Sequence, residues 1–371
     1  MLRFPAPLRV YLKAMSFLAA LFGVTAASAQ TPFATQDTVT VLHGPPADIV
    51  CKNCAAPNAW WSPAPPAQFD PLTASQPALD FYGLPPRPDP LTAPGPYGEW
   101  LKMVTAPVTR VTPHLVTGNI SFGASVIGVP PPTTQSAATV TTNPAWSGFA
   151  IVDSSGPFKV AKTTIYADFV VPTLFQPVGT CSSTPYWYVA WPGIDGYNTP
   201  DVLQAGVAGE ATCAANKTTE TFYVWTQWYP AKIAVDTSFV VTPGDTLTVA
   251  VWATSATAGK ALIEDTQRNT SIEVNIPAPS GTSLSGKTAE WIVEAPSGGY
   301  PKYPLGHYAT AGWFNLFVAV PVGTATRAYY PGSSPTGTVY NITMDEDGSP
   351  ASVPQLFGTS ALWFYTTGAA K

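Results

Sequence analysis

From about residue 143 onward the chain predicts an all-β domain, an antiparallel sandwich of many short strands. Three observations carry this. Short runs rich in Val, Ile, Thr, Tyr, Phe and Trp recur, as in residues 163–171, 187–191, 221–225, 246–252 and 289–293. Gly, Pro, Asn and Ser punctuate them, with turn signals such as Pro243-Gly244-Asp245. No convincing 3.6-residue periodicity interrupts the pattern. Evenly spaced short strands of this kind build double-sheet domains, and about 230 residues suit one large domain.

Ahead of this domain the chain reads in two parts. Arg3, Arg9 and Lys13 precede an apolar stretch from Met15 to Val24 and then Ala27-Ser28-Ala29. A positive start, a short apolar run and an A-x-A site form a cleavable export signal over residues 1–29. The run is short for a bilayer span, so a protein secreted to the cell exterior or periplasm is expected, free of the membrane after cleavage. Residues 30–142 hold about half of the 41 prolines, in runs such as Pro63-Ala64-Pro65-Pro66 and Pro130-Pro131-Pro132. Proline fixes φ and removes a hydrogen-bond donor, so this region is expected to be a mostly irregular pro-segment or extended arm. Its acids and bases are about equal in number, which gives no support to an electrostatic block of catalytic carboxylates. The β domain then spans 143–371.

Composition narrows the chemistry. Only 11% of residues are charged, against a usual figure of about 25%, and the net charge is −5. No basic patch signals nucleic acid or an anionic membrane; a monomer is expected. Few carboxylate pairs exist for acid to break, which suits an acidic exterior. Export makes the four cysteines candidates for disulfides, and two local bridges, Cys51–Cys54 and Cys181–Cys213, are the expected pairing. Cys51-x-x-Cys54 lacks the βαβ context of a redox motif. The three histidines, His43, His114 and His307, are too few and too scattered for a zinc site, and two of them lie in the arm; H-E-x-x-H and G-x-S-x-G are both missing. No metal and no cofactor is expected. Carboxylates and amides remain.

Two strands then stand out. In Thr288–Glu294 alternation places Glu290, Ile292 and Glu294 on one face and Ala289, Trp291 and Val293 on the other. In Asp201–Val207 Gln204 lies between Leu203 and Ala205. A buried, unpaired polar group is costly, although each residue alone also fits the polar outer face of an ordinary strand. Asp195, in Trp191-Pro192-Gly193-Ile194-Asp195-Gly196, fits a turn residue bonding its own backbone as well as a functional one. Trp225-Thr226-Gln227-Trp228 puts aromatics around an amide, as either core or groove lining.

Taken in order, Trp146-Ser147-Gly148, Trp191 to Gly196, Leu203-Gln204-Ala205-Gly206, Trp225 to Pro230, Pro243-Gly244-Asp245 and Ala289 to Glu294 resemble the glutamic peptidases, the eqolisin family. The resemblance covers residues from about 143 to 310. It implies a lectin-like β-sandwich with a substrate groove, and hydrolysis of protein or peptide substrates in acid by a Gln/Glu dyad. Gln204 and Glu290 occupy the dyad positions; Asp195, Trp191, Trp225, Gln227 and Glu294 are the expected substrate-binding residues. Two positions depart from the family pattern, which commonly has Glu at Gln227 and Asp near His307. The alternatives are a non-catalytic or glycan-binding lectin-like sandwich, and a glycosidase with two carboxylates, which would have no use for an amide partner.

Overall fold

The computed structural model describes residues 39–123, 139–296, 304–308, 311–346 and 348–366. The export signal expected over 1–29 lies outside these residues. Nineteen strands are present among them. In the arm lie β1 (Val39–His43), β2 (Thr109–Arg110) and β3 (Leu115–Thr117), followed by β4 (Thr139–Asn143). The domain continues with β5 (Trp146–Val152), β6 (Thr164–Val170), β7 (Tyr186–Ile194), β8 (Val202–Ala214), β9 (Lys217–Tyr229), β10 (Ala234–Asp236) and β11 (Thr246–Ser255). Then come β12 (Ala258–Asp265), β13 (Thr270–Pro277), β14 (Thr288–Glu294) and β15 (Ala311–Val322). The last four are β16 (Ala325–Tyr329), β17 (Thr338–Glu346), β18 (Ser349–Phe357) and β19 (Ala361–Thr366).

The strands form the expected antiparallel sandwich. One sheet runs β9-β8-β7-β14-β5-β17, with β1 and β10 sharing the free side of β9 and β4 on the far side of β17. The other runs β13-β12-β11-β6-β15, with β16 and β19 sharing the far side of β15. The β17-β18-β19-β15 pairings join the two sheets along one side.

Period-2 patterning decides which face each residue takes. Ala289, Trp291 and Val293 of β14 and Leu203, Ala205 and Val207 of β8 share one apolar core with Val249, Ile263 and Val274 of the opposite sheet. Ile292, Trp191, Trp225, Trp146 and Val202 form a second cluster on the other face of the first sheet. That face carries the candidate chemistry.

Among its described residues the arm is mostly irregular, as expected, with some regular structure of its own. Two helices occur in it, α1 (Gln76–Phe81) and α2 (Pro94–Thr105), each with proline in its first turn. There the missing N–H has no helical partner to lose, so proline starts a helix rather than preventing one. Trp100 and Met103 are buried, and the Trp100 indole donates to the Pro85 carbonyl (2.8 Å). Three short strands dock its described residues onto the sheets. β1 runs parallel to β9, β2 parallel to β13, and β3 antiparallel to β10. Both disulfides, Cys51–Cys54 and Cys181–Cys213, are formed. β4 enters the sheet from Thr139, slightly before the residue 143 boundary.

Candidate active site

Strand register builds the site. Tyr340 of β17 faces Ala150 of β5, Ala150 faces Glu290 of β14, Glu290 faces Gly193 of β7, Gly193 faces Gln204 of β8, and Gln204 faces Gln227 of β9. Directly opposed residues project from the same face of a sheet. Glu290 and Gln204 therefore flank one position, and that position carries no side chain. Two strand spacings put their Cα atoms roughly 10 Å apart, a gap that two medium-length side chains can narrow from both sides. A Cβ at Gly193 would lie 2.9 Å from both the Trp191 ring and Val202 Cγ2, so glycine is required by close approach.

Glu290 is fully buried. Its Oε1 accepts the Tyr197 N–H (2.9 Å), and Oε2 has no hydrogen-bond partner among the described residues. Burial pushes its carboxyl well above the usual carboxylate range, and the Tyr197 N–H only partly counters this. Gln204, also fully buried, donates through Nε2 to the Phe122 carbonyl (3.1 Å) and to Gln227 Oε1 (3.2 Å). Gln227 Oε1 also accepts the Phe122 N–H (3.0 Å).

Glu294 lies four residues along β14 on the same face. Its carboxylate accepts the Gly123 N–H (2.9 and 3.1 Å) and the Trp191 indole N–H (2.9 Å). Burial lifts it to about 8 against these bonds. Trp225 packs edge-on against Phe122, with ring centroids 4.6 Å apart. The structure thus gathers Gln204, Glu290, Trp191, Trp225, Gln227 and Glu294 on one face.

Asp195 borders the site, its N–H donating to the Thr288 carbonyl of β14 (2.9 Å) and its charge helping to raise the Glu290 carboxyl. It sits just past the end of β7 with φ +62°, a conformation Asp tolerates. Its carboxylate accepts Ser285 Oγ–H (2.8 Å) and the Gly286 (2.8 Å) and Lys287 (3.0 Å) N–H groups, so its bonding capacity serves the 285–288 loop. His307 pairs through its backbone with Phe175, beside the Trp187 end of β7. Six residues of strand separate Trp187 from Gly193, roughly 20 Å.

Sequence reasoning missed Phe122, Gly123, Tyr197 and Tyr340. A signal existed for the first pair: Ile120 and Phe122 alternate in Asn119-Ile120-Ser121-Phe122-Gly123, an apolar break in the Pro-rich arm.

A carboxyl and an amide N–H donor on either side of a position with no side chain of its own can move a proton and hold developing negative charge on an oxygen. Comparison with known proteins bears on this arrangement. The model of the peptidase A4 family matches residues 144–348, more than half of the chain. Aspergillopepsin-2 of Aspergillus niger is 32% identical over 113 residues, 30% of this chain and 39% of that protein. Scytalidopepsin B of Scytalidium lignicola is 31% identical over 108 residues, 28% of this chain and 38% of that protein. The chain thus matches about two fifths of the length of these curated relatives. A crystal structure of scytalido-glutamic peptidase with a transition-state analog inhibitor is similar over 60% of this chain and 98% of its own, at 19% identity and a TM-score of 0.46.

Proposed function

Because the chain belongs to the peptidase A4 (eqolisin) family, we propose that it is a secreted, acid-acting endopeptidase in which Glu290 and Gln204 are the catalytic dyad. The observation that carries this reading is the rung Glu290–Gly193–Gln204, where a carboxyl and an amide flank a position without a side chain. In the proposed reaction ionised Glu290 takes a proton from water, and the water oxygen bonds to the scissile carbonyl carbon. The Gln204 N–H stabilises the oxyanion. The C–N bond then breaks as Glu290 returns its proton to the leaving nitrogen. A positioned base is worth about 10²–10⁴-fold and an oxyanion donor about 10²–10³-fold.

Substrates are proteins or peptides, bound along the face lined by Trp191, Trp225, Gln227 and Glu294. Burial holds the Glu290 carboxyl well above its usual range, and opening the cleft to water returns it toward the ordinary carboxylate range, where it can act as a base in acid. The chain is read as a precursor trimmed near residues 133–145, with residues 143–371 as the catalytic domain. Ala27-Ser28-Ala29 supports export.

The test is cleavage of casein or haemoglobin at about pH 2–5. Glu290→Gln and Gln204→Ala should each lose at least a hundredfold in kcat and retain the precursor mass at low pH. Full activity of Glu290→Gln would overturn the dyad.

A further inference from the structure

Resting on that reading, we infer that residues Ile120–Gly123 are a tethered ligand of the cleft, occupying its proposed oxyanion donor in a posture that only glycine allows and keeping the chain latent.

Its contacts fall on the groups assigned to catalysis and substrate binding. The Phe122 carbonyl oxygen accepts from Gln204 Nε2, the donor assigned to the oxyanion. The next nitrogen, Gly123 N, donates to Glu294. The Phe122–Gly123 bond is therefore gripped at both its oxygen and its nitrogen. On the acyl side the Phe122 ring is wholly buried, 4.6 Å from the Trp225 ring and 6.3 Å from that of Trp187. On the other side Gly123 has φ +77°, and a Cβ there would stand 2.6 Å from Gln204 Nε2 and 2.8 Å from Val202 Cγ1. Only glycine fits this pose, so an ordinary substrate residue after the scissile bond must sit differently. Gly123 lets the segment fill the cleft in a posture of its own.

The segment is also held from both sides by its backbone. Gly118 N donates to the Ile233 carbonyl (2.9 Å) and Ile233 N to the Ile120 carbonyl (3.2 Å). On the opposite side Asn119 N donates to the Ile49 carbonyl (2.7 Å), and Cys51 N to that of Thr117 (2.9 Å). These bonds do not depend on the chain being continuous beyond Gly123. Trimming near residues 133–145 would leave the ligand in place, and latency ends only when the arm itself leaves. The block is made by main-chain mimicry and one aromatic anchor, which agrees with an arm lacking an excess of basic residues.

Full-length chains carrying Phe122→Ala or Gly123→Ala test this by two readouts. Amide hydrogen exchange at residues 120–123, measured at acid pH in a Glu290→Gln background, should accelerate at least tenfold in both variants. With Glu290 intact, initial cleavage rates on an unfolded protein should rise at least tenfold. The synthetic peptide Gly-Asn-Ile-Ser-Phe-Gly should then inhibit the Phe122→Ala chain by raising KM without changing kcat, and its Phe→Ala version should be at least tenfold weaker. Exchange and rates within twofold of the parent, or equal inhibition by the two peptides, would overturn the tethered ligand. Faster exchange with the parent peptide protecting the cleft, but no cleavage by any chain, would support the ligand and overturn the dyad instead.

Discussion

Consider urea denaturation of the full chain as the pH is raised from 5 to 8. Burial pushes the carboxyls of Glu210, Glu264 and Glu294 up to about 8, and that of Glu220 up to about 7. In the unfolded chain the same groups return to about 4.3. A raised folded value means that the folded chain holds the proton more tightly. The resulting stability is complete below the unfolded value and is lost as pH climbs through the folded ones. Near pH 6 these four groups are protonated when folded and ionised when unfolded. Linkage assigns each such proton about 1.4 kcal/mol per pH unit, a ceiling of roughly 5 kcal/mol per unit for the four. Local relaxation and water entry lower such penalties severalfold. A quarter of the ceiling still moves the melting temperature by roughly 2 °C per pH unit in a domain of this size. Below about pH 4 the sign reverses at Asp153, whose carboxyl is lowered because hydrogen bonds from Ser155 and Thr336 outweigh its partial burial. Stability should therefore peak at about pH 4–5. Tryptophan fluorescence against urea at successive pH values measures it, and Glu264→Gln should flatten the slope by one proton. A stability that stays level or rises between pH 5 and 8 would refute the reasoning.

Two further perturbations separate the chemistry from its scaffold. Gly193→Ala puts a Cβ 2.9 Å from Trp191 and Val202 and so wedges apart the residues on either side of it. A misplacement of about 1 Å at reacting groups can cost about a hundredfold; that loss should appear in kcat on an unfolded protein, and a wild-type kcat would show that the rung does not set the dyad's spacing. Replacing Cys181 and Cys213 together by serine opens a bridge with a sequence separation of 32. Loop entropy makes this worth about 3–4 kcal/mol, measurable as a shift in the urea midpoint with activity retained below it.

Much of the fold was legible because period-2 alternation is a local signal. In Thr288–Glu294 it sorted Trp291 into the core and Glu290 and Glu294 onto the opposite face without knowledge of any partner strand. The arm was less legible for a matching reason. Proline density argues against sheet and against helix interiors, yet it leaves the first turn of a helix open, and α1 and α2 both begin there. The energy that holds these helices comes from tertiary burial of Leu79, Trp100 and Met103, and no local pattern announces that.

The site shows the same division between local and long-range information. The polar residues Gln204 and Glu290 could be picked out because each interrupts an apolar strand. What makes them a pair is Gly193, whose significance lies in being opposite both at once, across two registers separated by many residues of chain. Asp195 is ambiguous from sequence because a polar residue in a Gly-rich turn has the same local signature whether it meets a ligand or clamps a neighbouring loop, as its bonds to Ser285 and Gly286 do. Phe122 and Gly123 were passed over because they belong to the arm, and a segment becomes a ligand only through the surface it meets. Once met, the fit is particular at two adjacent positions: an aromatic ring between Trp225 and Trp187, then a residue with no Cβ beside Gln204. This one segment takes up the Gln204 amide N–H through the Phe122 carbonyl and the Glu294 carboxyl through the Gly123 N–H. Removing it is the event by which both groups should become free for another peptide at once.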